Sequence, residues 1–160
     1  AEDDRRQRSA WDEVAGKVDL VLLEGWCLGV RPQAREQLQE PVNELERDED
    51  PDVSWRDFVN RALERDFLPL YERIDQWIML QAPSFDCVYR WRLEQEHKLA
   101  GATSGAAAGV MDDRQVARFI QHYQRLTEHC LATLPAAVDY LYTLDEQRRI
   151  VSSSPQWCAS

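Results

Sequence analysis

One acid in the stretch VDLVLLEGWCLG, residues 18–29, stands where nucleotide chemistry could use it. The run rich in Val and Leu over 18–23, with Gly16 before it and Gly25 after it, predicts a short buried parallel strand. In a parallel sheet, ligands bind beyond the carboxyl ends of the strands. That puts Glu24 at the active edge, and Gly25 lets the backbone turn away. A carboxylate there can orient water on a Mg²⁺ ion that bridges nucleotide phosphates. The plainer alternative is a strand-end Glu that caps a neighbouring helix or faces solvent.

A second candidate is the stretch VYRWRLEQE, residues 88–96. Arg90 and Arg92 are two apart and cannot share a helical face. One is expected to point into a cleft and the other across the helix. A guanidinium fork donates two hydrogen bonds at once, which suits phosphate. Beside the small-residue stretch GATSGAAAG, the pair reads as a phosphate clamp on a moving lid over about 100–111. The plainer alternative is surface ion pairing with Glu94 or Glu96.

Other chemistries find little support. His97, His122 and His129 lack metal-site spacing. No histidine is placed to activate Cys27 as a nucleophile. The Gly/Ala stretch has no strand before it and no Lys-Ser/Thr after it, so it is not a phosphate-cradling loop. Cys27, Cys87, Cys130 and Cys158 form no C-x-x-C pair and read as free thiols in a reducing cytoplasm.

The elements that must hold these residues follow from periodicity. Residues 1–17 read as a loop plus a short helix. Residues 31–53 read as a short helix and a solvated loop, with the acidic run from Glu44 to Asp50 on the surface. Ser54 and Asp57 resemble a capping box. The apolar positions Trp55, Phe58, Val59, Ala62, Leu63, Phe67, Leu70, Tyr71 and Ile74 trace one helical face, aromatics included as core. Pro69 should kink that helix. Residues 77–80 read as a second buried strand. Ser84 can cap a helix to about Leu99, and Asp112 or Asp113 a second long helix. Residues 139–144 and 149–151 look like strands around a turn, before a loosely held tail. Strands alternating with long helices predict an α/β domain with a mainly parallel sheet.

The chain has 160 residues, enough for one domain, with 44% hydrophobic and 30% charged residues. Its 19 Lys+Arg against 29 Asp+Glu give a formal net charge of −10. Such an acidic surface argues against general nucleic-acid or anionic-membrane binding. No apolar run approaches the roughly 20 residues that span a bilayer. The chain begins at Ala1 without a Met, as a processed or partial chain would.

Taken in order, LLEGWCLG, APSFDCVYRWRLEQE and VMDDRQVARFIQHY resemble the C-terminal half of the D-glycerate 3-kinase family. That family sits with the uridine kinase, phosphoribulokinase and pantothenate kinase group of P-loop enzymes. The motifs span roughly residues 18–125, and EGW-x-x-G with Y-x-W-R-x-x-x-E is specific at this separation. The resemblance implies ATP-dependent phosphorylation of a small hydroxylated substrate, with ATP and Mg²⁺ as cofactors. Within it, Glu24 matches the acid near the metal, and Trp26 and Gly29 match the turn lining the substrate side. Arg90 and Arg92 match the lid arginines near the transferred phosphate.

The departure lies in the phosphate cradle. A P-loop reads G-x-x-x-x-G-K-[ST]. Here Gly16-Lys17 has Trp11 where the first Gly belongs and Val18 where Ser or Thr belongs. The resemblance therefore implies a partial P-loop kinase-like domain over 1–160, lacking the P-loop strand that should lie between 18–23 and 76–80. Unpaired edges would remain along both neighbours, so the chain alone is expected to fold poorly and to be inactive. A missing N-terminal half or a partner chain would supply the P-loop. Two alternatives stand beside this: a non-catalytic or split-subunit interaction module, and a uridine-kinase-like enzyme with another acceptor.

Overall fold

The computed structural model describes residues 6–102 and 110–155. It is an α/β fold built on a three-stranded sheet of order β1-β2-β3. The strands are β1 (Ile78–Gln81), β2 (Tyr140–Leu144) and β3 (Ile150–Pro155). β1 runs parallel to β2, with Ile78 opposite Tyr140 and Gln81 opposite Thr143. β3 returns antiparallel to β2. The sheet is thus mixed rather than mainly parallel, because β2 and β3 are joined by a tight turn. Part of the expected loose tail is ordered within β3. Residues 156–160, Cys158 among them, lie outside the described residues.

The helices are α1 (Glu44–Glu49), α2 (Ser54–Ala62), α3 (Leu68–Tyr71), α4 (Phe85–Ala102) and α5 (Asp113–Thr133). Two start signals act as the sequence predicts. The Cys87 amide donates to Ser84 Oγ at 3.3 Å. Asp112 and Gln115 form a reciprocal capping box at the start of α5. α4 and α5 are the long crossover between β1 and β2, as a parallel pair requires. Residues 103–109, most of the expected lid, lie outside the described residues.

A buried cluster of Val30, Leu63, Cys130, Leu134 and Val138 forms the core. Cys27, Trp77, Met79, Leu126 and Leu141 pack against it. Burying each large apolar side chain contributes about 1.5–3 kcal/mol. The Trp77 amide donates to Asp139 Oδ2 at 2.7 Å, and the Trp77 carbonyl accepts from Asp139 and Tyr140. That clamp sets the register at which β1 meets β2.

Three expectations fail for physical reasons. Residues 18–23 join no strand of the sheet, and Leu20, Val21 and Leu22 are about as exposed as side chains become. A strand exists only when a neighbour accepts its hydrogen bonds, and no described strand lies beside this one. The Ser54–Asp57 cap is absent. Asp50 instead accepts from the Trp55 and Arg56 amides at 2.8 and 3.2 Å, and Ser54 Oγ donates to Asp52. Val53, just before α2, is held at φ 66, a costly left-handed conformation for a β-branched residue. The apolar face over 54–74 is only half used: Leu63 and Tyr71 are buried, while Trp55 and Phe58 are exposed and pack edge-on against each other. The helix is interrupted before Pro69 by a π turn at Leu63–Phe67.

The largest correction concerns the acidic run. Glu46 and Asp50 are buried, not surface charges. Arg125 of α5 donates to Glu46 from Nε at 2.8 Å and Nη2 at 2.7 Å. It also donates to the carbonyls of Gln37 and Glu40. Arg56 bonds Asp50 at 2.8 Å and the Leu38 carbonyl at 2.8 Å. The two arginines thereby fasten residues 37–56 onto α5.

Candidate functional site

The EGW-x-x-G motif forms a turn. The Leu28 amide donates to the Gly25 carbonyl at 3.3 Å, and the Val30 amide to the Cys27 carbonyl at 3.1 Å. Cys27 and Gly29 take left-handed conformations, at φ 59 and φ 91. Only glycine adopts the latter freely. Gly29 is buried, and a Cβ added there would meet Trp77 Cζ3 at 3.0 Å. Gly29→Ala is therefore expected to destabilise the protein by about 1–3 kcal/mol, read as a lower midpoint in denaturant. An unchanged midpoint would show that the turn has another stable form.

Trp26 leaves this turn and stacks flat on Tyr123 of α5, with centroids 4.6 Å apart and planes 9° from parallel. Tyr123 meets Phe119, one turn earlier, at 5.2 Å. The Arg92 guanidinium lies 5.4 Å over the Phe119 ring, a cation–π contact. A ladder of Trp26, Tyr123, Phe119 and Arg92 thus joins the two motifs across α5. The sequence places Phe119 and Tyr123 on the apolar face of α5. The pairing of aromatics with Trp26 and Arg92 is what sequence reading misses.

Arg92 also donates to Gln95 Oε1 at 2.7 Å and pairs with Glu96. Glu96 is buried and accepts from the Met111 amide at 3.1 Å. Glu96 therefore ties the end of α4 to the residues that lead into α5. Arg92 Nε is buried without a partner. Arg90 points elsewhere, to Glu146 in the β2–β3 turn at 3.3 Å and to Cys87 Sγ at 3.1 Å. Its neighbour Trp91 donates to the Glu146 carbonyl at 2.8 Å. The two arginines thus take different faces, one toward α5 and one toward the hairpin.

Glu24 is exposed at the end of the unpaired 18–23 segment and makes no described hydrogen bond or ion pair. No group of three metal-ligating side chains occurs among the described residues. A lone free carboxylate still fits Mg²⁺, which commonly takes one or two carboxylates and fills its octahedron with water and phosphate oxygens. A hollow of about 370 Å³ beside α2 is lined by Arg35, Asp52, Ser54, Asp57 and Arg61. It contains none of the residues the motifs select.

The α/β scaffold is similar to that of a solved kinase, and the sequence is similar to two curated kinases. The chain is 31% identical over 146 residues to a protein of Schizosaccharomyces pombe described as the uncharacterized kinase mug58, covering 90% of this chain and 46% of that one. It is 32% identical over 141 residues to the chloroplastic D-glycerate 3-kinase of Arabidopsis thaliana, covering 88% of this chain and 25% of that one. The solved D-glycerate 3-kinase of Cryptococcus neoformans superposes with a TM-score of 0.68 at 25% identity, over 89% of this chain and 51% of that one. The solved structure of the YGR205w protein shares the fold, with a TM-score of 0.50 at 22% identity. No protein-family model matches the chain. The chain is a homologue of α/β kinases, and D-glycerate 3-kinases are among its relatives, as the motifs predict. It spans less than half the length of the curated relatives it matches and corresponds to their C-terminal part. No described helix is long and apolar enough to cross a membrane.

Proposed function

We propose that this chain forms the metal-side and lid part of an ATP-dependent small-molecule kinase whose acceptor is a hydroxylated compound such as D-glycerate. The observation that carries the reading is the homology to D-glycerate 3-kinases across both motifs. The ladder from Trp26 to Arg92 supports it, because it gives the two motifs one shared surface. When bound, Mg²⁺ with ATP supplies a phosphoryl group whose charge is already partly neutralised. Glu24 would hold water on that ion. Trp26, clamped on Tyr123, would present the substrate side of the turn, with Gly29 giving it room to form. Arg90 would reach a phosphate most readily, since its exposed pair with Glu146 is worth only about 0–1 kcal/mol. Arg92, held by Glu96 and Phe119, would set the lid's position.

The rest of the kinase would come from polypeptide matching the N-terminal part of the relatives, on the same chain or on a partner. The exposed apolar segment over 18–23 and the exposed Ile78 and Leu80 of β1 support this, because such a surface is suited to cover by another strand. Residues 1–160 contain no G-x-x-x-x-G-K-[ST], so by themselves they should not transfer phosphate.

The test is a panel of hydroxylated acceptors with ATP and Mg²⁺, using the full-length protein. Phosphorylation of D-glycerate is expected. Turnover of nucleosides alone would replace the acceptor assignment. Absence of transfer to every acceptor would leave an interaction module derived from a kinase fold.

A further inference from the structure

After β2 the chain makes a tight turn, and α4 leans on it. Asp145 Oδ1 accepts from the Gln147 and Arg149 amides, both at 2.8 Å. The Arg148 amide donates to the Asp145 carbonyl at 3.0 Å. Arg148 is held at φ 64, a conformation uncommon for residues other than glycine. Arg90 and Trp91 stand four and three positions before Glu94, so one side of α4 carries all three. That side meets the turn. Trp91 Nε1 donates to the Glu146 carbonyl at 2.8 Å. Arg148 pairs with Glu94 and lies 5.7 Å over the Trp91 ring. Arg90 Nη1 lies 3.3 Å from Glu146 Oε2.

These contacts differ in kind. Trp91 is half-buried and is held by a main-chain carbonyl and by Arg148. Neither hold depends on the Glu146 side chain. Arg90 is tied to the turn by that side chain alone, and its other contact is Cys87 Sγ at 3.1 Å. The side chains of Arg90 and Glu146 are both more than half exposed. The turn follows the carboxyl end of β2, which runs parallel to β1. Ligands of α/β sheets bind beyond that edge.

We infer, resting on the kinase assignment above, that Glu146 and a phosphate of ATP are alternative partners of Arg90. Glu146 receives a single hydrogen bond from Arg90, whereas a phosphate accepts both arms of the guanidinium fork. The incoming phosphate therefore displaces Glu146, and only a side chain moves. Trp91 and Arg148 keep α4 seated on the turn throughout. Glu146 is thus a positioning residue: it holds Arg90 at the carboxyl edge of the sheet and sets how much affinity an anion must bring to take it.

The experiment titrates the full-length protein with ATP and Mg²⁺ by calorimetry, with no acceptor present. Glu146→Gln should tighten ATP by about twofold to fivefold, the range that the modest strength of an exposed ion pair allows. In an Arg90→Ala background the same substitution should gain nothing, because the contact it relieves is already gone. Amide hydrogen exchange over residues 88–94 reads the seat of α4. Arg148→Ala should speed that exchange. Glu146→Gln should leave it unchanged, since Trp91 bonds the main-chain carbonyl. ATP bound no more tightly by Glu146→Gln, or a gain that persists without Arg90, would overturn the inference and leave the kinase assignment standing. So would faster exchange in Glu146→Gln or unchanged exchange in Arg148→Ala. Failure of the unaltered protein to bind ATP would remove the kinase assignment, and the inference with it.

Discussion

Glu46→Ala should destabilise the protein by about 3–5 kcal/mol, the cost of removing one partner from a buried ion pair. The Glu46 carboxylate is buried, receives two hydrogen bonds from Arg125 and lies 3.7 Å from Arg56 Nη1. It also accepts from the Val42 amide at 2.9 Å. Alanine would leave the Arg125 guanidinium buried with only the Gln37 and Glu40 carbonyls, and would take the nearer carboxylate from the pair that anchors residues 37–46. Asp50 still neutralises Arg56, so the loss falls mainly on Arg125. Replacing Glu46 and Arg125 together by apolar residues should cost less than Glu46→Ala alone, because no uncompensated charge remains. Urea unfolding of the single and double variants reads both effects. A loss below about 1 kcal/mol in Glu46→Ala would mean that water reaches Arg125.

Glu24→Gln in the full-length protein should lower kcat by about 10²-fold or more, equivalent to roughly 2.7 kcal/mol of transition-state stabilisation. Glutamine keeps the size and a carbonyl oxygen but loses the charge that would orient water on Mg²⁺. Glu24 has no described partner in the fold, so the substitution should leave the unfolding midpoint unchanged. That separates a catalytic loss from a structural one. Unchanged turnover would remove Glu24 from the mechanism, and a matching loss of stability would make it a structural residue.

Much of the helical frame was legible because its signals are local. Ser84 and Asp112 cap the helices they precede, and the apolar period of α5 buries Val116, Ile120 and Cys130. What escaped reading depends on partners distant in sequence. The acidic run reads as solvated until Arg125, 79 positions beyond Glu46, is known to lie on it. Residues 18–23 have the composition of a strand, but composition supplies no hydrogen-bonding neighbour. Of the candidate site, the ladder that joins Trp26 to Arg92 was not legible, because Trp26 and Tyr123 meet only through the fold of α5.

The dependence on α5 also bears on how the chain is made. Tyr123 receives Trp26, Arg125 receives Glu46, and Thr127 receives Cys27 across 100 positions of sequence. At roughly 5–20 residues per second, a ribosome needs on the order of 5–20 s to make those intervening residues. Throughout that interval the turn after Glu24 and the charged segment before α2 have been synthesised but lack their partners on α5. Those contacts form only after α5 clears the exit tunnel.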